Sequence, residues 1–224
     1  MKLTLSFDNG PDPVVTPAVL DVLDRHGVSA HFFVLGQLVA TPAGRALVER
    51  TVAAGHHVGN HSYTHAVPLG DDPRPDAVAR EIEATEALLA PFVRGAPSFR
   101  PFGGGGVLGP HLLSPEAAAH LQHRGYTCVL WNSVPRDWVD PANWPATALA
   151  DLDRRPHTLL VLHDIVGACL DQLDAFLRAA MSRGHEITNE LPAECVPIRA
   201  GAVVGDLRDL VRARPDAPNL AGAA

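Results

Sequence analysis

Cysteine is scarce in this chain: Cys128, Cys169 and Cys195 are the whole complement of 224 residues. Their number is odd, and no two of them have the CxxC spacing of a metal or redox motif. A disulfide framework and a zinc-thiolate site are excluded as organising devices, and free thiols point to a reducing compartment. Basic charge is also short. The 18 Lys and Arg against 25 Asp and Glu give a formal net charge of −7, without the clustered cations of a nucleic-acid footprint. No apolar run reaches the roughly 20 residues that cross a bilayer. Met1-Lys2 leads straight into a strand-like run, with no basic and apolar leader regions. The expectation is a cytoplasmic protein with neither a membrane nor a nucleic-acid partner. What is present is 46% hydrophobic residues, enough for the core of one large α/β domain. The glycine run 103–106 does not follow the dinucleotide fingerprint, so no Rossmann cofactor is indicated.

Strand and helix patterns alternate along the chain. Residues 2–7 read as a strand. Thr16-Pro17, Thr41-Pro42 and Ser114-Pro115 each pair an N-cap with a proline at the first helical position, and Gly27, Gly55 and Gly125 stop the helices that follow. Further strands are expected at 29–34, 56–59, 126–132, 158–162 and 185–188, and further helices at 75–90, 145–153 and 168–183. Repeated βα order predicts a parallel sheet with helices outside. The strand count fits a distorted or incomplete (β/α) barrel of about six or seven parallel strands, with an open doubly wound sheet as the alternative. Leu207, Leu210 and Val211 predict one amphipathic helix over 205–213, and residues 215–224 read as disordered. The globular domain is expected to span 1–190, and 191–224 to form a C-terminal extension.

Polar residues follow directly on four of the hydrophobic runs, at Asp8-Asn9, His61 to His65, Arg100 and His163-Asp164, and a fifth run, 128–131, leads toward Asp137-Trp138. In a barrel such residues converge on one mouth. His61 and His65 stand four apart, and on a helical turn both rings face one side and can share a metal. Singly, each has a bland role open to it. Asp-Asn-Gly-Pro is turn chemistry, a histidine pair arises easily by chance among 12 histidines, Arg100 can pair with any acid, and Asp137 can be a loop acid beside a core aromatic. His163 is either neutral and hydrogen-bonded inside or an acid at the mouth. Jointly and in this order they favour a site.

The joint pattern resembles the polysaccharide deacetylase, or NodB-homology, family over about residues 2 to 190. The family opens with a strand and Asp-Asp-Gly-Pro, here Asp8-Asn9-Gly10-Pro11, and continues with Ala-Thr-Phe-Phe-Val, here Ala30-His31-Phe32-Phe33-Val34. Its His-Ser/Thr-x-x-His motif is intact at His61 to His65. Its Arg-x-Pro-Tyr motif is altered to Arg100-Pro101-Phe102-Gly103, its Asp-Trp pair is Asp137-Trp138, and its Leu-x-His motif is relaxed to Val161-Leu162-His163. The resemblance implies a metal-dependent hydrolase that removes an acyl group, N-acetyl above all, from an amide nitrogen of an amino sugar or related small amide. His61 and His65 would bind a divalent metal, zinc by expectation, with residue 9 as third ligand. Asp8 would be the base, Arg100 its partner, His163 the acid and Asp137 its orienting group. A backbone N–H near Phe102 or Gly103 would meet the oxyanion, and Trp138 would line the acyl pocket.

The chain departs from that pattern at Asn9, where the family has a second aspartate. An amide oxygen carries no charge, so the metal is expected to bind more weakly, by about 10–100-fold if outer-shell changes are a guide. Three outcomes are open: weak binding through Asn9, replacement of the ligand by His31, or loss of metal catalysis with the cleft kept as a carbohydrate-binding module. A deformylase or cyclic-amide hydrolase on the same fold is a further alternative. Val134 stands where many relatives carry an aspartate, and the glycine run puts flexible backbone where the family has an aromatic.

Overall fold

A computed structural model describes residues 1–213 of the chain. The elements follow as β1 (Lys2–Asp8), α1 (Val15–His26), β2 (His31–Val34), α2 (Gly36–Val39), α3 (Pro42–Ala53) and β3 (His57–Asn60). A π-helical turn (Val78–Glu83) then leads into α4 (Ala84–Leu89), followed by β4 (Ser98–Phe99), α5 (Pro115–His123) and β5 (Thr127–Cys128). The last elements are α6 (Trp144–Arg154), β6 (His157–His163), α7 (Leu170–Ser182), β7 (Glu186–Ile187), β8 (Ile198–Arg199) and β9 (Ala202–Val203).

Strand periodicity sorts β1 into two faces. Leu3, Leu5 and Phe7 are fully buried in one cluster with Val19, Leu20 and Leu23 of α1 and Leu173, Phe176 and Leu177 of α7. Each such side chain stabilises the fold by about 1.5–3 kcal/mol. The alternate residues Ser6 and Asp8 face the barrel interior, where both meet Arg100. In β6, Leu160 and Leu162 join the same outer cluster, which leaves Leu159, Val161 and His163 on the interior face.

The sheet runs β6-β1-β2-β3-β4-β5-β8-β9, with β7 beside the first residues of β1. The seven strands β1 to β7 pair in parallel, and only β8 and β9 are antiparallel. After β5 the chain returns to the far edge, where Ser133 pairs with Leu160 of β6. The sheet therefore curls into an irregular barrel, as expected, and not into a doubly wound layer.

Several expectations need correction. The strand foreseen at 126–132 keeps only Thr127–Cys128, because the Leu130 N–H turns to the Cys195 carbonyl at 2.7 Å. Thr41 and Ser114 do cap α3 and α5, accepting from Gly44 and Ala117. Thr16 does not cap α1: the Asp12 carboxylate accepts the Val14 and Val15 N–H groups instead. Residues 205–213 form turns, not a helix, and Val211 bridges to Leu113 while Leu210 is buried. Nor does the sheet stop at residue 190, since Cys195, Val196 and Ile198 are buried and β8 pairs with β5. The disorder expected for 215–224 lies outside the described residues.

Candidate active site

Strand register builds the site. Asp8 at the end of β1 stands opposite His163 at the end of β6 and Phe33 in β2. Asn60 stands opposite Phe99, so the residues that follow, His61 and Arg100, are neighbours across β3 and β4. Their strand ends surround a cavity of about 250 Å³ lined by Asp8, Asn9, His61, His65, Phe102, Gly103, Trp138 and His163 among others. Eight of the ten expected site residues, and Arg136 besides, thus line the cavity. The remaining two, Arg100 and Asp137, are fully buried behind the cavity wall.

Arg100 holds Asp8. Its Nη1 donates to Asp8 Oδ1 and to Ser6 Oγ, each at 2.7 Å, while Nε and Nη2 reach the carbonyls of Val129 and Leu130. The guanidinium also lies 4.0 Å from the Phe33 ring centroid. Burial alone would push the Asp8 carboxyl up, but the charge and hydrogen bond of Arg100, with His61 and His163 nearby, hold it below the ordinary carboxylate range. Asp8 is an anion with Oδ1 occupied and Oδ2 3.6 Å from His61 Nε2.

A second pair, His163 and Asp137, stands beside the first. Both oxygens of Asp137 are used on one residue, accepting from His163 Nδ1 and from its backbone N–H at 2.8 Å each. That double bond fixes the ring so that Nε2 is its free nitrogen. Trp138 packs edge-on against the imidazole at 4.5 Å.

The histidine pair is assembled by a loop and not by the helical turn that its spacing suggested. Residues 61–65 are bent chain with left-handed backbone at Ser62 and His65. The buried Glu81 anchors this bend, accepting from the N–H groups of Tyr63 and Thr64 and from the Thr64 hydroxyl. Glu81 was not foreseen, since nothing in its helical setting marks it. The bend brings the two rings within 4.8 Å. His61 Nδ1 donates to the Arg100 carbonyl at 2.8 Å, which leaves Nε2 as its lone-pair nitrogen. Burial lowers the pKa of both rings, that of His65 to about 3, so both are neutral imidazoles, the form that a metal requires.

A third donor is needed. Among the described residues no three His, Cys, Asp or Glu side chains are grouped to hold a metal ion. Asn9, on left-handed backbone at the cavity wall, supplies what is missing: its Oδ1 is buried and has no hydrogen-bond partner. A buried acceptor without a donor is costly, and a cation would satisfy it. Two neutral imidazoles and an amide oxygen fit a divalent metal of borderline softness. Asn9→Asp, which keeps the shape and tolerates the same backbone, is expected to raise zinc affinity by about 10–100-fold. Calorimetric titration of metal into both proteins checks it, and equal affinities would remove residue 9 from the ligand set.

His31 is not an alternative ligand. It lies two residues before the level of Asp8 in β2, outside the cavity lining, with Nε2 bonded to the Asn189 carbonyl and its ring stacked on His57. The glycine run closes the opposite rim. Gly104, Gly105 and Gly106 all have positive φ, and the Gly106 carbonyl accepts the Trp131 indole N–H at 2.8 Å. Beneath the Asp8 loop, Asp164 accepts from the Thr16 hydroxyl, and burial pushes its carboxyl up to about 7. Trp131, Val134, Arg136 and Ile165 also line the cavity. For Trp131, Arg136 and Ile165, nearness to the motifs was the only sequence signal.

A family model described as polysaccharide deacetylase matches residues 1–107. A chitooligosaccharide deacetylase from Rhizobium leguminosarum bv. phaseoli is 36% identical over 169 residues, covering 73% of this chain and 68% of the relative. A family 4 acetyl xylan esterase from Clostridium thermocellum, solved in complex with a cobalt ion, superposes with a TM-score of 0.65 at 30% identity, covering 84% of this chain and 87% of the other. A family 4 carbohydrate esterase from Streptomyces lividans, solved with acetate, gives 0.68 at 25% identity over 92% and 98% of the two chains. With Asp8, His163 and the paired imidazoles lining one cavity, these likenesses show that the chain belongs to the polysaccharide deacetylase family.

Proposed function

We propose that this hydrolase removes N-acetyl groups from an amino sugar of the chitooligosaccharide type, using a divalent cation, zinc first, held by His61, His65 and Asn9. One observation carries the reading: Asp8, held by Arg100, and His163, held by Asp137, line one cavity together with two neutral imidazoles and an unpartnered amide oxygen. A bound cation supplies Lewis acidity toward the amide carbonyl and toward water.

The chain's own groups do the proton work. Asp8 takes the proton of the attacking water through Oδ2, because Oδ1 is engaged by Arg100. Arg100 cannot lose its own proton and so keeps the carboxylate oriented and ionised. The C–N bond breaks as His163, protonated on both nitrogens, gives its Nε2 proton to the leaving amine. Asp137 holds the opposite nitrogen throughout. Phe102 and Trp138 exclude water around the small acyl group. The three cysteines are free and buried, which supports a reducing, cytoplasmic setting.

Acetate release from N-acetylchitooligosaccharides tests the reading, with N-formyl analogues and cyclic amides as competitors. His163→Ala is expected to lower kcat by about 10²–10⁴-fold. Sugar binding without any acetate release, at saturating zinc, would instead support a binding module.

A further inference from the structure

We infer that Arg136 reads an anionic group, a carboxylate or a phosphate, carried by the substrate beside its N-acyl group. This rests on the hydrolase reading for its substrate, but not for its test. Beyond the reacting groups, the cavity lining consists of glycines, Pro101 and apolar side chains such as Trp131, Val134 and Ile165. Arg136 is the one polar side chain added to them. No carboxylate or amide side chain outside the reacting set is present there to read the hydroxyls of a neutral sugar.

The partners of the charged groups point the same way. Asp8 is matched by Arg100, and both oxygens of Asp137 are engaged by His163. Arg136 is exposed, and its guanidinium lies 5.8 Å from the Trp138 ring centroid. Among the described residues no carboxylate pairs with it. Its φ of 59° is a left-handed conformation that non-glycine residues seldom adopt. Trp138 in turn packs edge-on against His163, so one indole lies beside both the acid and the free cation. The net charge of −7 disfavours an anionic substrate at long range. A cation at the rim acts inside the screening length of about 8 Å, where it prevails.

The test compares N-acetylglucosamine, its 3-O-carboxymethyl ether and its 3-phosphate, whose anionic groups sit next to the N-acetyl, by calorimetric binding and by kcat/KM, in wild type and in Arg136→Asn, which suits the left-handed backbone. Wild type is expected to bind an anionic sugar about tenfold more tightly than the neutral one. In the variant that ratio should fall to about twofold or less, and the preference should weaken with salt only in wild type. The two anionic arms tell carboxylate from phosphate. Equal binding of all three sugars by wild type, no binding of any, or a preference that survives in Arg136→Asn would overturn the assignment. A preference lost on substitution while no sugar is hydrolysed would uphold Arg136 and overturn the hydrolase reading.

Discussion

Asp8→Asn is expected to slow N-acyl hydrolysis by about 10²–10⁴-fold, the usual contribution of a positioned base. The replacement keeps an oxygen for Arg100 Nη1, which now donates at 2.7 Å to Asp8 Oδ1, so the barrel interior stays hydrogen-bonded. The cost in stability is that of a weakened charge-assisted bond, about 1–3 kcal/mol. Zinc titration should be little changed, because His61, His65 and Asn9 are untouched. The wild-type pH profile gives a second readout. Asp8 must be ionised to act, and its pKa lies below the ordinary carboxylate range. The rate should therefore hold through the pH region where ordinary carboxylates titrate and fall only below it. An Asp8→Asn protein within tenfold of wild-type kcat would remove the base from Asp8.

Much of this site was legible because strand ends are legible. A hydrophobic run that stops at a polar residue marks both the strand and the mouth of a barrel, and Asp8, Arg100 and His163 were found that way. The contacts that perfect them were not. Asp12 takes over the capping of α1 because Thr16 is committed to Asp164 across the fold. Glu81 shapes the His61–His65 bend from a π-helical turn 16 or more residues further on. Such pairings depend on tertiary neighbours, which periodicity does not encode. The apolar residues of 205–213 have a helical spacing, but they are spent on a single bridge and one buried leucine. The short strand β5, two residues long, was overdrawn because the apolar pattern continues past the last paired residue.

Arg100→Met should have the largest effect on stability. It replaces a fully buried guanidinium that serves Asp8, Ser6 and two backbone carbonyls. Removing one partner of a buried ion pair typically costs about 3–5 kcal/mol, which for a chain of this size lowers Tm by about 10 °C. The sign of the pH dependence identifies the cause. In wild type the Asp8 pKa is depressed in the folded state, so its contribution is present above the unfolded value and lost only as pH falls through the folded one. Without Arg100, burial is the largest influence left and pushes the carboxyl up. The folded variant then binds a proton more readily than its unfolded chain and gains stability as pH falls from 7 toward 5. The Tm gap to wild type should narrow over that range, whereas a packing defect alone would leave it constant. Asp8→Asn combined with Arg100→Met should melt above Arg100→Met alone, because the stranded charge is gone. A double variant no more stable than the single one would show that the lost carbonyl and ring contacts of Arg100, and not its charge, hold the barrel together.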